Sequence, residues 1–244
     1  MVPRRSDPRR RPQAESGPLN VVYEDPWILA VNKPPGTVVH PTYKNTSGTL
    51  LNAVLWRVRN RAGAQPGILT RLDKGTSGLV LVALTPQIHA TLQRDVAAGL
   101  TRKEYLAVVR GTPTPPQGSI VLPLARDPND RRRMIVTPGG AHSETRYEAL
   151  SPAIFSRNGG SSDRPDVSLL RCELVTGRTH QIRVHLASCG WPILGDFVYG
   201  EPHQMIGRQA LHAWRMSFPH PVSRAPLQLS VRVPADMTFL IHNA

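Results

Sequence analysis

Side chains able to hold or move charge at a reacting atom gather at three places in this 244-residue chain. The first is GILTRLDKGTSGLVLV, residues 67–82, where Asp73 stands with Arg71 and Lys74 inside an otherwise apolar run. That cluster has two readings. Asp73 can start a turn in which Gly75 and Gly78 supply unusual dihedrals and the charges face water. Alternatively, the apolar flanks hold one carboxylate at a fixed point in a cleft, as preorganised catalysis requires. The second place is LVTGRTHQIRVHLASCG, residues 174–190, with Arg178, His180, Arg183 and His185 in one helical neighbourhood. His180 and His185 are five apart and point to different helix faces, and His185 with Cys189 lacks companion ligands, so the spacing does not support a metal site. Arg183 is either a surface charge or a buried partner that keeps Asp73 ionised by lowering its pKa. The third is TRKEYLAVVRG, where Tyr105 is either a packed tyrosine or a ring that stacks on a displaced base beside phosphate-binding Arg102 and Lys103.

Charge narrows these options. Thirty Lys and Arg against 17 Asp and Glu leave a formal net charge of +13, an excess that favours a polyanionic partner over mere solubility. ARDPNDRRRMIV places Arg131, Arg132 and Arg133 in succession, either as a solvated edge strand or as an edge that tracks phosphates. Two cysteines, Cys172 and Cys189, form no CxxC pair or disulfide framework, which points to a reduced cytoplasmic setting. No apolar run approaches the ~18 residues that span a membrane. MVPRRSDPRRRP has no apolar segment behind its arginines, so it is no secretory signal and reads as a disordered basic arm over residues 1–18. GxSxG, P-loop and GxGxxG patterns are absent, and the leading motif has one carboxylate, not the pair used in glycoside hydrolysis.

The elements that must position these residues alternate between two textures. NVVYEDPWILAVNKPPG predicts two strands around Asp25-Pro26. TLLNAVLWRVRN predicts a helix capped by Thr49 or Ser47, LVLVAL a strand, and PQIHATLQRDVAAG a helix from Pro86 to a stop at Gly99. Short strands follow in KEYLAVVRG, GSIVLPLARDP, RRRMIVTPGG, SETRYEAL and DVSLLRCELV, with a polar loop over 156–166. THQIRVHLASCG is a third helix stopped by Gly190; QALHAWRMSF and LQLSVRV are late strands before a short tail. The expectation is one α+β domain over 19–244, built on a large, mostly antiparallel sheet flanked by helices and loops.

These motifs together resemble the RluA family of pseudouridine synthases. TRLDKGTSG is similar to the family's RLD-x-x-TSG, VNKPPGTVVHP to its lysine-proline opening, RKEYLAVVRG to its K-x-Y strand, and TGRTHQIRVHLASCGWPILGD to its closing motif. They occur in family order across about residues 20–235, and LPLARDPNDRRRM is similar to the large-subunit rRNA branch. The resemblance implies the pseudouridine synthase catalytic fold and isomerisation of uridine in structured RNA without cofactor or metal. It implies Asp73 as catalytic carboxylate, Arg183 as its ion-pair partner, Tyr105 as the ring against the base, and Arg71 in the space left by the flipped nucleotide. Further RNA contacts are expected at Lys33, Arg102, Lys103, Arg131, Arg132, Arg178 and His180. Ribosomal RNA is the expected substrate and a monomer the expected form. The alternatives are a tRNA or dual substrate, a non-catalytic RNA-binding ribosome-assembly factor, and a nucleosidase. Two departures stand out: Thr70 occupies the position of the family's usual histidine, and these residues contain no S4-type RNA-binding domain.

Overall fold

The longest apolar runs become neighbouring strands. β1 (Val21–Glu24) and β2 (Ile28–Lys33) form the expected antiparallel hairpin. Asp25 shapes its turn, Oδ1 accepting from the backbone N–H groups of Trp27 at 2.7 Å and Ile28 at 2.8 Å. β3 (Gly67–Ile68) and β2 both pair antiparallel with β4 (Ser77–Ala83), which is buried along its whole length. A strand covered on both faces has no reason to alternate polar with apolar residues, and LVLVA does not. The computed structural model describes residues 12–43, 45–151 and 167–243, and the polar loop expected over 156–166 lies outside them.

The described parts of the chain group into two compact units, Met1–Thr101 with Ser217–Val231 and Arg102–Met216 with Arg232–Ala244. The crossings fall at Thr101–Arg102, Met216–Ser217 and Val231–Arg232, without Gly or Pro, so no linker composition marks them in the sequence. In the first unit, α1 (Leu50–Arg57) and α2 (Pro86–Ala97) accompany the strands. Thr49 caps α1 in a reciprocal capping box with Asn52. Part of the basic arm expected over 1–18 is tied to that helix end. Asn52 Nδ2 donates to the Gln13 carbonyl at 2.6 Å, Glu15 N to the Asn52 carbonyl at 3.1 Å, and Gly48 N to Glu15 Oε2 at 2.7 Å. Residues 1–11 lie outside the description.

In the second unit the strand order is β11-β5-β10-β9-β6, with β5 (Arg102–Arg110), β6 (Gln117–Val121), β9 (Glu144–Ser151), β10 (Val167–Leu174) and β11 (Leu211–Pro219). The pairs β5–β10, β10–β9 and β9–β6 are antiparallel. The last three residues of β11 enter the first unit, where a turn leads into its partner β12 (Pro226–Ser230). GSIVLPLARDP, read as one strand, is two: it breaks at Leu122-Pro123, and β7 (Leu124–Arg126) leaves the large sheet to form a separate hairpin with β8 (Met134–Val136). α3 (Gln181–Ser188) follows β10. The expected tail contains a fourth helix, α4 (Ala235–Asn243). It is secured by a bidentate pair from Arg208 to Asp236 at 2.7 and 2.9 Å and by Met237 and Leu240, both fully buried. Among the described residues no helix is long and apolar enough to cross a membrane. The class is α+β, as expected.

Candidate active site

In the first unit Asp73 occupies a loop whose backbone is fixed from several sides. Leu69 N donates to the Leu81 carbonyl at 2.8 Å, and Leu81 N donates to Thr70 Oγ1 at 3.0 Å. Thr70, buried, therefore latches the loop to β4 by a hydrogen bond that needs no aromatic ring or titrating proton. Thr76 N closes a turn on the Asp73 carbonyl at 3.1 Å. The adjacent Lys74 carbonyl accepts from Gly36 N at 2.8 Å and Lys33 Nζ at 3.2 Å. Lys33 Nζ also donates to the Pro34 and Thr37 carbonyls at 3.0 and 2.9 Å, and the side chain is 0% exposed. Lys33, expected as an RNA contact, is thus buried with three backbone carbonyls around its ammonium, one of them in the Asp73 loop. Arg71 is exposed and Asp73 half-buried. His40, near Arg71, has its imidazole pushed below the ordinary value by burial and by that guanidinium.

In the second unit Tyr105 lies on β5, 7% exposed, opposite Cys172 of β10, which in turn faces Tyr147 of β9. Burial pushes the Cys172 thiol up to about 12, so this row supplies a neutral, inert surface beside the Tyr105 ring. Strand alternation puts Lys103 on the face of Tyr105 and Arg102 on the opposite one. Burial lowers the pKa of Lys103. Arg102 pairs with Glu173 at 2.7 Å on that opposite face.

α3 carries Arg183 inward, 5% exposed, and its guanidinium meets Asp196 in a bidentate pair, Nε and Nη2 both at 2.7 Å. Burial alone would push the Asp196 carboxyl up. The Arg183 guanidinium, with the N–H groups of Val198 and Tyr199, outweighs burial and holds the carboxyl below the usual carboxylate range. Asp196 was not singled out in the sequence, although it ends the quoted WPILGD. The preceding Gly195, at φ +71, would place a Cβ only 2.3 Å from the Arg208 carbonyl, so no other residue fits there.

The same helix is pinned by buried polar side chains. Gln181 Nε2 donates to Thr145 Oγ1 at 2.9 Å, Thr145 Oγ1 lies 3.0 Å from His185 Nδ1, and His185 Nε2 lies 3.0 Å from the Leu122 carbonyl. Each group is satisfied if Nε2 carries the imidazole proton and Nδ1 accepts the threonine hydroxyl. His185 is thus a neutral structural residue.

At the rim, Arg178 is exposed, its Nε donating to the His142 carbonyl at 3.3 Å. His180 begins α3 in the left-handed region at φ 55, with Nδ1 2.8 Å from the Tyr199 hydroxyl. Arg131, Arg132 and Arg133 are exposed between β7 and β8. Arg132 pairs with Asp130, which it draws down to about 2. Arg133 sits 5.4 Å from the centre of the Tyr199 ring. Among the described residues no group of three or more His, Cys, Asp or Glu could hold a metal ion.

Two solved structures share this architecture. Human RNA Pseudouridylate Synthase Domain Containing 4 is 20% identical with a TM-score of 0.71, covering 91% of this chain and 92% of that one. Human RNA Pseudouridylate Synthase Domain Containing 1 is 26% identical with a TM-score of 0.68, covering 89% and 86%. The fold is that of a pseudouridine synthase. Residues 28–188 match the family described as RNA pseudouridylate synthase, and the chain belongs to that family: it is an isomerase acting on RNA. Ribosomal large subunit pseudouridine synthase D of Zymomonas mobilis subsp. mobilis is 40% identical over 239 residues, spanning 91% of this chain and 72% of that protein. The uncharacterized RNA pseudouridine synthase YlyB of Bacillus subtilis is 38% identical over 236 residues, spanning 94% and 74%.

Proposed function

We propose that Asp73 is the catalytic carboxylate of this synthase, with Arg183 as its charge partner and Tyr105 as the ring against the uracil, and that its substrate is large-subunit ribosomal RNA. The observation that supports the reading is the bracing of the Asp73 loop by Lys33, Thr70 and Gly36, which fixes the loop backbone while Asp73 stays half-buried. Isomerisation breaks the bond from the ribose C1′ to N1, turns the freed uracil and joins C1′ to C5. The proton leaves C5 and N1 gains one, so atoms balance without an oxidant. An ionised Asp73 begins either route, by attacking the sugar or by removing a ribose proton to give a glycal. The cut base must be kept from water, and apolar Leu72 and Ile68 beside the loop serve that end. Flipping the target from folded RNA costs a few kcal/mol, offset by stacking and by phosphate contacts from Arg71, Lys103, Arg131, Arg132, Arg178 and His180.

The substrate assignment is supported by three relatives named ribosomal large subunit pseudouridine synthase D and by the LPLARDPNDRRRM stretch. A reducing cytoplasm suits the two free cysteines. The test is to map pseudouridines in cells lacking this protein and to restore either the parent chain or Asp73→Asn. The reading expects sites lost from large-subunit RNA that only the parent restores. Loss confined to tRNA would move the substrate, and restoration by Asp73→Asn would remove Asp73 from the chemistry.

A further inference from the structure

We infer that Tyr199 is a positioning residue that joins the arginine-bearing β7–β8 hairpin to Arg183, so that RNA held on the hairpin and the orientation of Arg183 are coupled through one side chain. The inference rests on the reading of Arg183 and the hairpin given above. Three separate segments meet at this tyrosine. Its backbone is set by Asp196, whose Oδ1 accepts from Val198 N at 2.9 Å and Tyr199 N at 3.2 Å while the same carboxylate holds Arg183 at 2.7 Å. Its ring lies beneath two guanidinium groups, Arg183 at 5.0 Å and Arg133 at 5.4 Å from the ring centre, both within cation–π range. Its hydroxyl takes the backbone N–H of Met134, the first residue of β8, at 2.7 Å and lies 2.8 Å from His180 Nδ1.

A phenol has one proton to give and room to accept two. With Met134 donating to it, the hydroxyl still bonds His180 Nδ1, giving or taking the proton according to the histidine's tautomer, so one oxygen ties the hairpin to the start of α3. His180 is held there in a left-handed conformation that a non-glycine residue rarely adopts, three residues ahead of Arg183. Packing alone would call for any ring of this size. The oxygen adds a tie to two other segments, and that is the part a substitution can remove without disturbing the rest.

Tyr199→Phe keeps the ring beneath both guanidinium groups and deletes the oxygen shared by Met134 and His180. Tyr199→Leu removes the ring as well. On an in vitro transcript of large-subunit ribosomal RNA, Tyr199→Phe is expected to raise KM about fivefold while leaving kcat within about twofold, the pattern of weakened uniform binding. Tyr199→Leu is expected to lower kcat also, by about tenfold, as Arg183 loses the face that orients it. The coupling also appears in RNA affinity: combining Tyr199→Phe with Arg133→Ala should weaken binding by less than the product of the single effects. Thermal unfolding of each variant separates this from simple loss of folded protein. The inference is overturned if Tyr199→Phe matches the parent in KM and affinity, if KM and kcat change only in proportion to the folded fraction, or if the two substitutions act independently. Asp73→Asn run in parallel keeps the two ideas apart: its activity tests the catalytic reading, while the affinity cycle tests the coupling whatever Asp73 does.

Discussion

Two surfaces of the second unit are rich in arginine, and they use it differently. On the sheet face away from Tyr105, four arginines meet four glutamates: Arg102 with Glu173, Arg171 with Glu104 and Glu148, and Arg215 with Glu104 across strands, and Arg146 with Glu144 along β9. Charge there cancels. Between β7 and β8, Arg131, Arg132 and Arg133 stand exposed against Asp127 and Asp130, and Asp127 is occupied in shaping the turn, its Oδ1 accepting from Asn129 N at 2.8 Å. An arginine's neighbours, more than the arginine itself, decide whether it is offered to phosphate. The net charge of +13 is a statement about the whole chain; its use depends on where glutamate is withheld.

Arg183 extends that contrast into the interior, and breaking its pair should cost the most stability. Asp196→Ala leaves a buried guanidinium without its carboxylate, and denaturant titration should show a destabilisation of about 3–5 kcal/mol. A value below about 1 kcal/mol would mean that the pair is not what holds Arg183 in place. Next comes the exposed hairpin. Arg131→Ala with Arg133→Ala should weaken binding to ribosomal RNA about tenfold and reduce the salt slope by about 1 for each phosphate left without its arginine. An unchanged slope would locate the phosphate-binding groups elsewhere.

The pH dependence of stability is a smaller effect. Burial holds the His185 imidazole below its ordinary value, with its contact to the Leu122 carbonyl acting the other way. The unfolded chain therefore takes up a proton first as pH falls through about 6.5. Stability should be full above that point and decline below it. His185→Gln should flatten this decline in melting curves taken between pH 7 and 5. An equally steep decline in the variant would show that other groups cause it. Smallest of all, Arg102→Ala and Arg146→Ala on the balanced face should change stability by less than about 1 kcal/mol and leave RNA affinity near that of the parent. A large drop in affinity there would undo the contrast between the two surfaces.

What the sequence made legible was the local and the periodic. The Asp25 hairpin, the Thr49 cap of α1 and the unbroken LVLVA strand follow from short-range rules that the fold leaves in force. α4 escaped notice because ADMTFLIHN has little of its own to declare a helix; its security comes from Arg208, 28 residues earlier in the chain. The break inside GSIVLPLARDP was present in Pro123, but only the demand of His185 for the Leu122 carbonyl gives that kink a purpose. The burial of Lys33 was not legible either, since nothing local marks a lysine beside two prolines as buried. Its three carbonyl partners lie 1, 4 and 41 residues away. Asp196 and Tyr199 were within a recognised motif or just beyond it, yet their roles are defined by α3 and β8, whose placement no local pattern conveys.

The role of Asp73 is decided by single-turnover isomerisation with the purified protein. With excess enzyme on a large-subunit RNA transcript, the parent should form pseudouridine, whereas Asp73→Asn should form none while binding the transcript with near-parent affinity. Modification by Asp73→Asn at the parent rate would contradict the account.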